Sequence, residues 1–147
     1  MKNSNDLNEN QYVVFKLSNE YYAINISKVK TIEKTTEFTR VPNTEKYIKG
    51  VINLRGEVIP VINLRKRFML DDNKDIKERR VIITNSDESD IGLLVDSSSE
   101  VITLHNDEID NPPKLENQLS DDFIKGIGKK NNRLIMLIDL DKILGIN

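Results

Sequence analysis

The sequence of 147 residues contains no cysteine and only one histidine. Without cysteine, a disulfide-stapled secreted domain, a thiol nucleophile and a cysteine-ligated metal are excluded. His105 has no evident partner for general-base chemistry, and a zinc site usually needs several nitrogen or sulfur ligands. A phosphate-binding loop of the GxxxxGK(S/T) type is also missing. We therefore predict no catalytic residues, no metal and no cofactor, and we do not expect an enzyme.

Long apolar runs and an excess of positive charge are missing too. No stretch approaches the ~20 consecutive apolar residues that span a bilayer, and the polar residues 1–10 do not resemble a signal peptide. The chain has 22 basic and 24 acidic residues, a formal net charge of -2, and only 5% aromatic residues. Proteins that bind bulk nucleic acid or anionic membranes usually carry a basic excess. We predict a cytoplasmic protein with no nucleic-acid partner and no direct membrane insertion.

The chain does have many short hydrophobic runs, and hydrophobic residues make up 37% of it. Residues 1–10 predict a disordered tail. Runs rich in β-branched and aromatic residues predict the strands 12–17, 21–26, 51–54, 58–64, 81–84, 91–95, 100–104, 123–127 and 133–138. Short helical turns are expected at 28–30, 45–48, 64–68 and 139–144. This pattern is typical of an all-β protein with short helical turns, built as small barrels or a sandwich.

The sequence contains an internal repeat. Residues 47–50 read YIKG and 123–126 read FIKG, and the match continues without gaps at an offset of 76, while residues 13–15 resemble 81–83 at an offset of 68. The repeat predicts one domain over 11–144, with similar halves at about 11–70 and 79–144 and a charged linker at 71–78. Chance likeness between short strand-rich segments is the alternative. Because ~60 residues alone bury too little surface for stability, we expect two small barrels that share an apolar face.

The two halves differ between their glycine-led strands, where residues 53–56 read NLRG and 129–132 read KKNN. If shared residues build the fold, the ones that differ are candidates for function. Arg55 is the leading candidate, because a turn arginine offers a planar set of donors to a partner's carboxylate or carbonyl. The alternatives are a solvated arginine or an ion pair with Glu57. The remaining candidates at this turn are Asn53, Gly56 and Glu57, of which Asn53 and Gly56 could serve only the backbone.

Residues 50–65, GVINLRGEVIPVINLR, closely resemble the hallmark of the CheW-like coupling proteins of bacterial chemotaxis. Three more stretches resemble that family in the expected order: 26–29 its Ile-x-Lys-Val segment, 91–96 its Gly-(Ile/Leu)-Val-Val-Asp strand, and 123–128 its C-terminal hairpin. The likeness covers about residues 11–144. It implies two SH3-like five-stranded β-barrel subdomains packed on a shared hydrophobic core, and an adaptor without catalytic activity.

The resemblance also implies two partners. Family members bind the regulatory domain of the histidine kinase CheA and the cytoplasmic tip of chemoreceptors, in signalling arrays at the inner face of the membrane. In the family, the neighbourhood of Val29, Thr31 and Ile32 contacts the kinase. An exposed apolar pair there would form a small interface core, and ordinary burial is the alternative. Leu115 is a further candidate, as a second apolar anchor between coupler and kinase.

Two positions depart from the family pattern. Asn63 stands where the family usually has an acidic residue after Pro-Val-x, and Thr31 stands at another acidic position, two residues before Glu33. Both changes put a charge pairing with the kinase in doubt, but not the fold. The alternative function is a small β-barrel that binds single-stranded nucleic acid. It is disfavoured because such barrels stack bases on aromatic side chains in basic grooves.

Overall fold

A computed structural model describes residues 10–35, 37–71, 76–86, 89–112 and 123–145. The strands in these ranges are β1 Gln11–Leu17, β2 Glu20–Asn25, β3 Val29–Lys34, β4 Ile48–Leu54, β5 Glu57–Asn63, β6 Arg80–Ser86, β7 Ser89–Val95, β8 Ser97–Thr103, β9 Ile109–Asp110, β10 Ile124–Lys130 and β11 Arg133–Ile138. The helices are α1 Leu64–Arg67 and α2 Leu140–Leu144, with 3₁₀-helical turns at Ile26–Lys28 and Asn106–Glu108. None of these helices is long and apolar enough to cross a membrane.

The strands form two sheets, which confirms the all-β class. One sheet has the order β8-β1-β2-β11-β10-β9 and the other the order β3-β6-β7-β5-β4. They belong to two compact units: the first contains Met1–Lys28 and Ser99–Asn147, and the second contains Val29–Ser98. The first sheet has six strands rather than the expected five, because β9 pairs with β10 through Ile109 and Asp110.

The compact units do not coincide with the two sequence halves. The hairpin β1–β2 joins strands β8 to β11 in one sheet, and the hairpin β6–β7 joins strands β3 to β5 in the other. In both sheets one strand of the hairpin pairs in parallel with a strand of the other half. Ala23 of β2 lies opposite Leu137 of β11, and Gly92 of β7 lies opposite Val61 of β5. Each half therefore completes its first hairpin on strands of the other half, a sharing of strands that the repeat left open.

The repeat itself is visible in the structure. β10 begins 76 residues after β4, and both strands shift register against their hairpin partner at matching places, Ile48/Gly50 and Ile124/Gly126. Each hairpin leads directly into a capped helix, since Asn63 caps α1 and Asp139 caps α2. The local chemistry of strand, turn and cap is thus repeated in both halves.

The first hairpins correspond at an offset of 69, so the offset of 68 read from the sequence is wrong by one residue. β1 and β6 both contain seven residues and begin at Gln11 and Arg80. Val14 lies opposite Ala23 in one hairpin, and Ile83 lies opposite Gly92 in the other. A slip of one residue would turn every side chain of a strand to the other face, so the pairing and not local similarity decides the correspondence.

Each unit buries an apolar cluster on one face of its sheet. The cluster of the first unit contains Tyr12, Val14, Ala23, Ile102, Leu104, Ile135 and Leu137. The cluster of the second contains Ile52, Ile59, Val61, Val81, Ile83 and Leu94. Side chains alternate between the faces of a strand, which is why members two residues apart share a cluster. Packing of the two units on a common apolar face stays a prediction.

Two segments expected to be helical form other structures. Residues 28–30 are divided between the 3₁₀-helical turn, which ends at Lys28, and β3, which begins at Val29. Residues 45–48 make a single turn, closed by a hydrogen bond of 3.0 Å from the Ile48 N–H to the Glu45 carbonyl. The sequence did not predict β3 for two reasons. Its partner is the distant strand β6, and its own alternation of charged and apolar residues is weak.

A buried ion pair fixes α1 to the end of β7. The Arg65 guanidinium donates to both carboxylate oxygens of Asp96, at 2.8 and 2.6 Å, and to the Asp71 carbonyl at 2.6 Å. Arg65 is 9% and Asp96 8% exposed. Removing one partner of such a pair would leave a buried charge uncompensated, so the two residues hold the end of the β5–α1 segment against the sheet.

Candidate partner-binding site

The second unit brings together two segments that are separate in the sequence, β3 and the turn between β4 and β5. Thr31, Arg55 and Glu57 line one pocket of about 160 Å³. The other residues of its wall are Lys30, Leu54, Ile59, Ile83 and Asp90. β3 and β4 lie at opposite ends of the sheet, so the sheet curls until its ends approach each other, as in a barrel.

The β4–β5 turn has the backbone of a tight two-residue hairpin connection. Arg55 and Gly56 both have positive φ, 51° and 87°, which two-residue turns of type I′ require. The Gly56 N–H donates to the side-chain oxygen of Asn53 at 3.1 Å. The turn-orienting role considered for Asn53 is therefore present in the structure, and Gly56 supplies the backbone freedom that the turn needs.

Arg55 is exposed at this turn and has one acidic neighbour. Its guanidinium lies 3.6 Å from a carboxylate oxygen of Glu33, and its side chain is 73% exposed. An ion pair of that length and exposure contributes little to stability. Among the described residues Arg55 forms no ion pair with Glu57, the partner considered from the sequence. The guanidinium can therefore still bind a carboxylate or carbonyl of another molecule.

The three candidates on β3 differ in exposure. Val29 and Thr31 are half-buried, whereas Ile32 is 38% exposed. The Thr31 hydroxyl oxygen is buried and has no hydrogen-bond partner in the part of the chain that the structure describes. Of the apolar pair considered from the sequence, only Ile32 is well exposed, because alternate residues of β3 point to opposite faces.

Lys30 occupies a register shift between Val29 and Thr31 where β3 pairs with β6. Its ammonium group donates to the Asp90 carboxylate at 2.8 Å. This hydrogen bond, and the charge of Asp90, raise the pKa of Lys30 above its ordinary value. The pair contributes opposite charges to the wall of the pocket, next to the Arg55 turn.

The two departures from the family pattern have local explanations. Glu33 lies two residues after Thr31 on the same strand, and it supplies the carboxylate beside Arg55 that position 31 lacks. Asn63 is buried and accepts hydrogen bonds from the Arg65 and Lys66 N–H groups, at 3.0 and 3.4 Å. An N-cap needs only such an acceptor oxygen, which Asn and Asp supply about equally well. The change at Asn63 therefore keeps the cap of α1.

One candidate residue cannot be placed, and two ion pairs appear that the sequence did not predict. Leu115 lies outside the described residues. Sequence reasoning missed the pairs of Lys30 with Asp90 and of Arg65 with Asp96, because both join residues far apart along the chain. Within the described ranges no group of three or more histidine, aspartate and glutamate side chains could hold a metal ion.

Fold and sequence together place this chain among known proteins. The CheW-like domain family matches residues 11–146, and the chain belongs to that family. It is 43% identical over 132 residues to the chemotaxis protein CheW of Bacillus subtilis (strain 168), covering 90% of this chain and 85% of that protein. It is 34% identical over 134 residues to the chemotaxis protein CheW of Klebsiella aerogenes, covering 91% and 81%.

A solved structure agrees in fold. The crystal structure of the scaffolding protein TtCheW from Thermoanaerobacter tengcongensis matches with a TM-score of 0.85 and 35% identity, over 95% of this chain and 94% of that one. These matches confirm the family resemblance, the fold of two SH3-like β subdomains and the chemotaxis scaffold or adaptor function. They do not support the alternative of a barrel that binds single-stranded nucleic acid.

Proposed function

We propose that this protein couples chemoreceptors to the histidine kinase CheA by binding both. The proposed partners are the regulatory domain of CheA and the cytoplasmic tip of the receptors, in arrays at the inner face of the membrane. Membership of the CheW-like family and relatives named as chemotaxis proteins support this proposal. We propose no catalytic step.

Coupling of this kind works by assembly. A protein that holds two partners at once raises their effective concentration for each other and fixes their relative geometry. A conformational change in the receptor can then alter the equilibrium of the kinase through the bound scaffold, provided that the two states of the receptor bind it differently.

We place the partner-binding surface at the pocket between β3 and the β4–β5 turn. The observation that carries this is the exposed Arg55 beside Thr31 and Glu57, whose guanidinium has no ion pair shorter than 3.6 Å to any of the described residues. Ile32 adds exposed apolar area on β3, of the kind that forms the centre of an interface. Asn53 and Gly56 hold the turn, Val29 is proposed as a further apolar contact on β3, and Leu115 is proposed as a second apolar anchor.

The kinase face is tested by calorimetry with the regulatory domain of CheA. The variant Ile32→Asp introduces a negative charge at an exposed residue of β3. The variant Val29→Asp introduces the same charge at a half-buried residue of that strand. We expect saturable binding by the wild type and at least about tenfold weaker binding by Ile32→Asp, because a carboxylate in an apolar interface core stays unpaired. Leu134→Asp, at a residue 63% exposed on β11, is the matched control and should bind normally.

The same titrations with Arg55→Ala separate the two partners. Asn131→Ala is its control, since Asn131 is the counterpart of Arg55 in the second hairpin. If Arg55→Ala binds the kinase domain normally but loses receptor binding, Arg55 belongs to the receptor face. A folded wild-type protein, checked by its thermal transition, that binds neither partner would show the proposed coupling to be wrong.

A further inference from the structure

A second pocket in the same unit is strongly positive. It has a volume of about 330 Å³ and lies between α1 and the segment that connects β3 to β4. Its charged residues are Arg40, Glu45, Lys46, Lys49 and Lys66. The pocket wall thus carries four cations and one carboxylate, although the chain as a whole has a net charge of -2.

None of these four cations forms an ion pair within the described ranges. Arg40, Lys46 and Lys66 are exposed, and Lys49 is half-buried with its ammonium group 5.4 Å from the centre of the Phe38 ring. Cations at the hairpin tip of the other unit, by contrast, are neutralised, as the bidentate pair of Arg133 with Glu100 shows.

The backbone around the pocket is held in place. Pro42 and Asn43, the latter with a φ of 63°, form a tight turn, and the Thr44 hydroxyl donates to the Val41 carbonyl at 3.0 Å. Thr39 is bridged to β4 by two hydrogen bonds with Val51, of 2.9 and 2.8 Å. The cations therefore project from a connection that is tied to the sheet at one end and from two regular elements, β4 and α1. Like charges held together in this way repel each other, and a bound anion relieves the repulsion.

The repeat indicates that the fold does not require the full set of cations. Lys49 and Lys66 have Lys125 and Lys142 as counterparts 76 residues later. Continuing the ungapped match by one residue puts Asp122 opposite Lys46. The sequence thus has opposite charges at these two positions, which come shortly before hairpins of the same kind.

We propose that this pocket binds an acidic segment of a partner protein that carries two or more aspartate or glutamate side chains. Three of the four cations are lysines, which attract anions as point charges with little demand on geometry. The surface is concave and has one exposed apolar residue, Val41 at 36%, which does not suit a flat bilayer. A strand of nucleic acid needs aromatic stacking platforms, and Phe38, half-buried beside Lys49, is a poor one.

The test uses the full chain and a fluorescein-labelled hexaglutamate peptide, followed by fluorescence anisotropy. Hexaglutamine is the uncharged control peptide. The variant Lys46→Gln/Lys66→Gln removes two exposed pocket charges. The control variant Lys28→Gln/Lys125→Gln removes two exposed lysines that lie elsewhere.

We expect the hexaglutamate dissociation constant to rise at least about threefold in the pocket variant, as the loss of two exposed charge contacts implies. The control variant should change it by much less, and hexaglutamine should not bind. Raising the salt concentration from about 0.05 M to about 0.3 M should weaken binding, since screening acts on exposed charges.

Equal weakening by both variants, or no hexaglutamate binding at low salt, would overturn the proposal. So would tighter, pocket-dependent binding of phosphatidylserine vesicles or of a single-stranded oligonucleotide, because the ligand would then belong to another class. The test contains neither kinase nor receptor, so its failure leaves the proposed coupling untouched.

Discussion

Arg55 has a backbone conformation that arginine seldom adopts. Its φ is 51°, and the φ of its counterpart Asn131 in the second hairpin is 54°. Asparagine is several-fold enriched among residues with positive φ, whereas arginine has no local means of offsetting the strain. Within the described ranges its one ion pair, with Glu33, is long and exposed. Local strain at an exposed residue with only a weak ion pair to the described part of the chain is a reason to look for a function.

Replacing Arg55 by asparagine should therefore separate stability from binding. We expect Arg55→Asn to raise the free energy of unfolding by about 0.5–1 kcal/mol, because asparagine tolerates this conformation better. The midpoint of thermal unfolding should rise by about 2–4 °C per kcal/mol. Binding to the partner that uses Arg55 should weaken, as calorimetry would measure. A lower unfolding temperature in Arg55→Asn would contradict the strain argument, and Asn131→Arg, which should be destabilised, is the reciprocal control.

The glycine of strand β4 and the equivalent glycine of strand β10 have different atoms close to them. Gly50 has a φ of 146°, and a β-carbon added there would collide with the backbone carbonyl of Thr39. At Gly126 the nearest atom would be a side-chain methyl of Ile109, at 3.3 Å. Backbone held by the Thr39–Val51 bridge cannot move away, but a side chain can yield. The two glycines are thus equivalent in the repeat and unequal in their surroundings.

This difference predicts unequal effects of the same substitution. Gly50→Ala should lower the free energy of unfolding by about 2 kcal/mol or more, the combined effect of a strained backbone and a clash. Gly126→Ala should cost clearly less, because Ile109 can shift. Urea denaturation of both variants, followed by far-ultraviolet circular dichroism, measures the difference. Equal losses in the two variants would show that the Thr39 bridge is not rigid.

The whole molecule depends on strands exchanged between the halves of the chain. The pairing of Ala23 with Leu137 joins residues far apart in sequence, and the pairing of β3 with β6 also crosses the boundary between the halves. Contacts of such long range require closure of large loops before they contribute free energy. Folding of this protein is therefore expected to be slower than that of a domain built from local hairpins.

Cutting the chain in the linker tests directly whether each half needs strands of the other half to fold. A fragment of residues 1–75 contains β1 to β5 but lacks the strands that pair with β1, β2, β3 and β5 across the boundary. We expect this fragment and the fragment 76–147 to be largely unfolded alone and to form β structure when mixed, as circular dichroism and amide dispersion in NMR spectra would report. Cooperative folding of either fragment by itself would contradict the exchanged topology.

Local features of the fold could be predicted from the sequence. The hairpin around Arg55 and Gly56, the two short helices and the all-β class depend on turn residues, local helix signals and short apolar runs. The repeat also placed the second glycine-led hairpin correctly, since its ungapped match preserves the register of β10 and β11. The candidate turn at Arg55 was found because the two copies differ there.

The features that could not be predicted are pairings between distant residues. Strand β3 has a weak pattern of its own and is defined by β6, and the contact of Glu33 with Arg55 exists only because the sheet curls.

The sequence by itself thus determined the hairpins, the short helices and the family of this protein, because these depend on neighbouring residues and on ordered motifs. Only the tertiary structure decided which hairpin completes which sheet and which charges meet at a pocket. The free energy of those pairings comes from contacts between residues that the chain order leaves far apart.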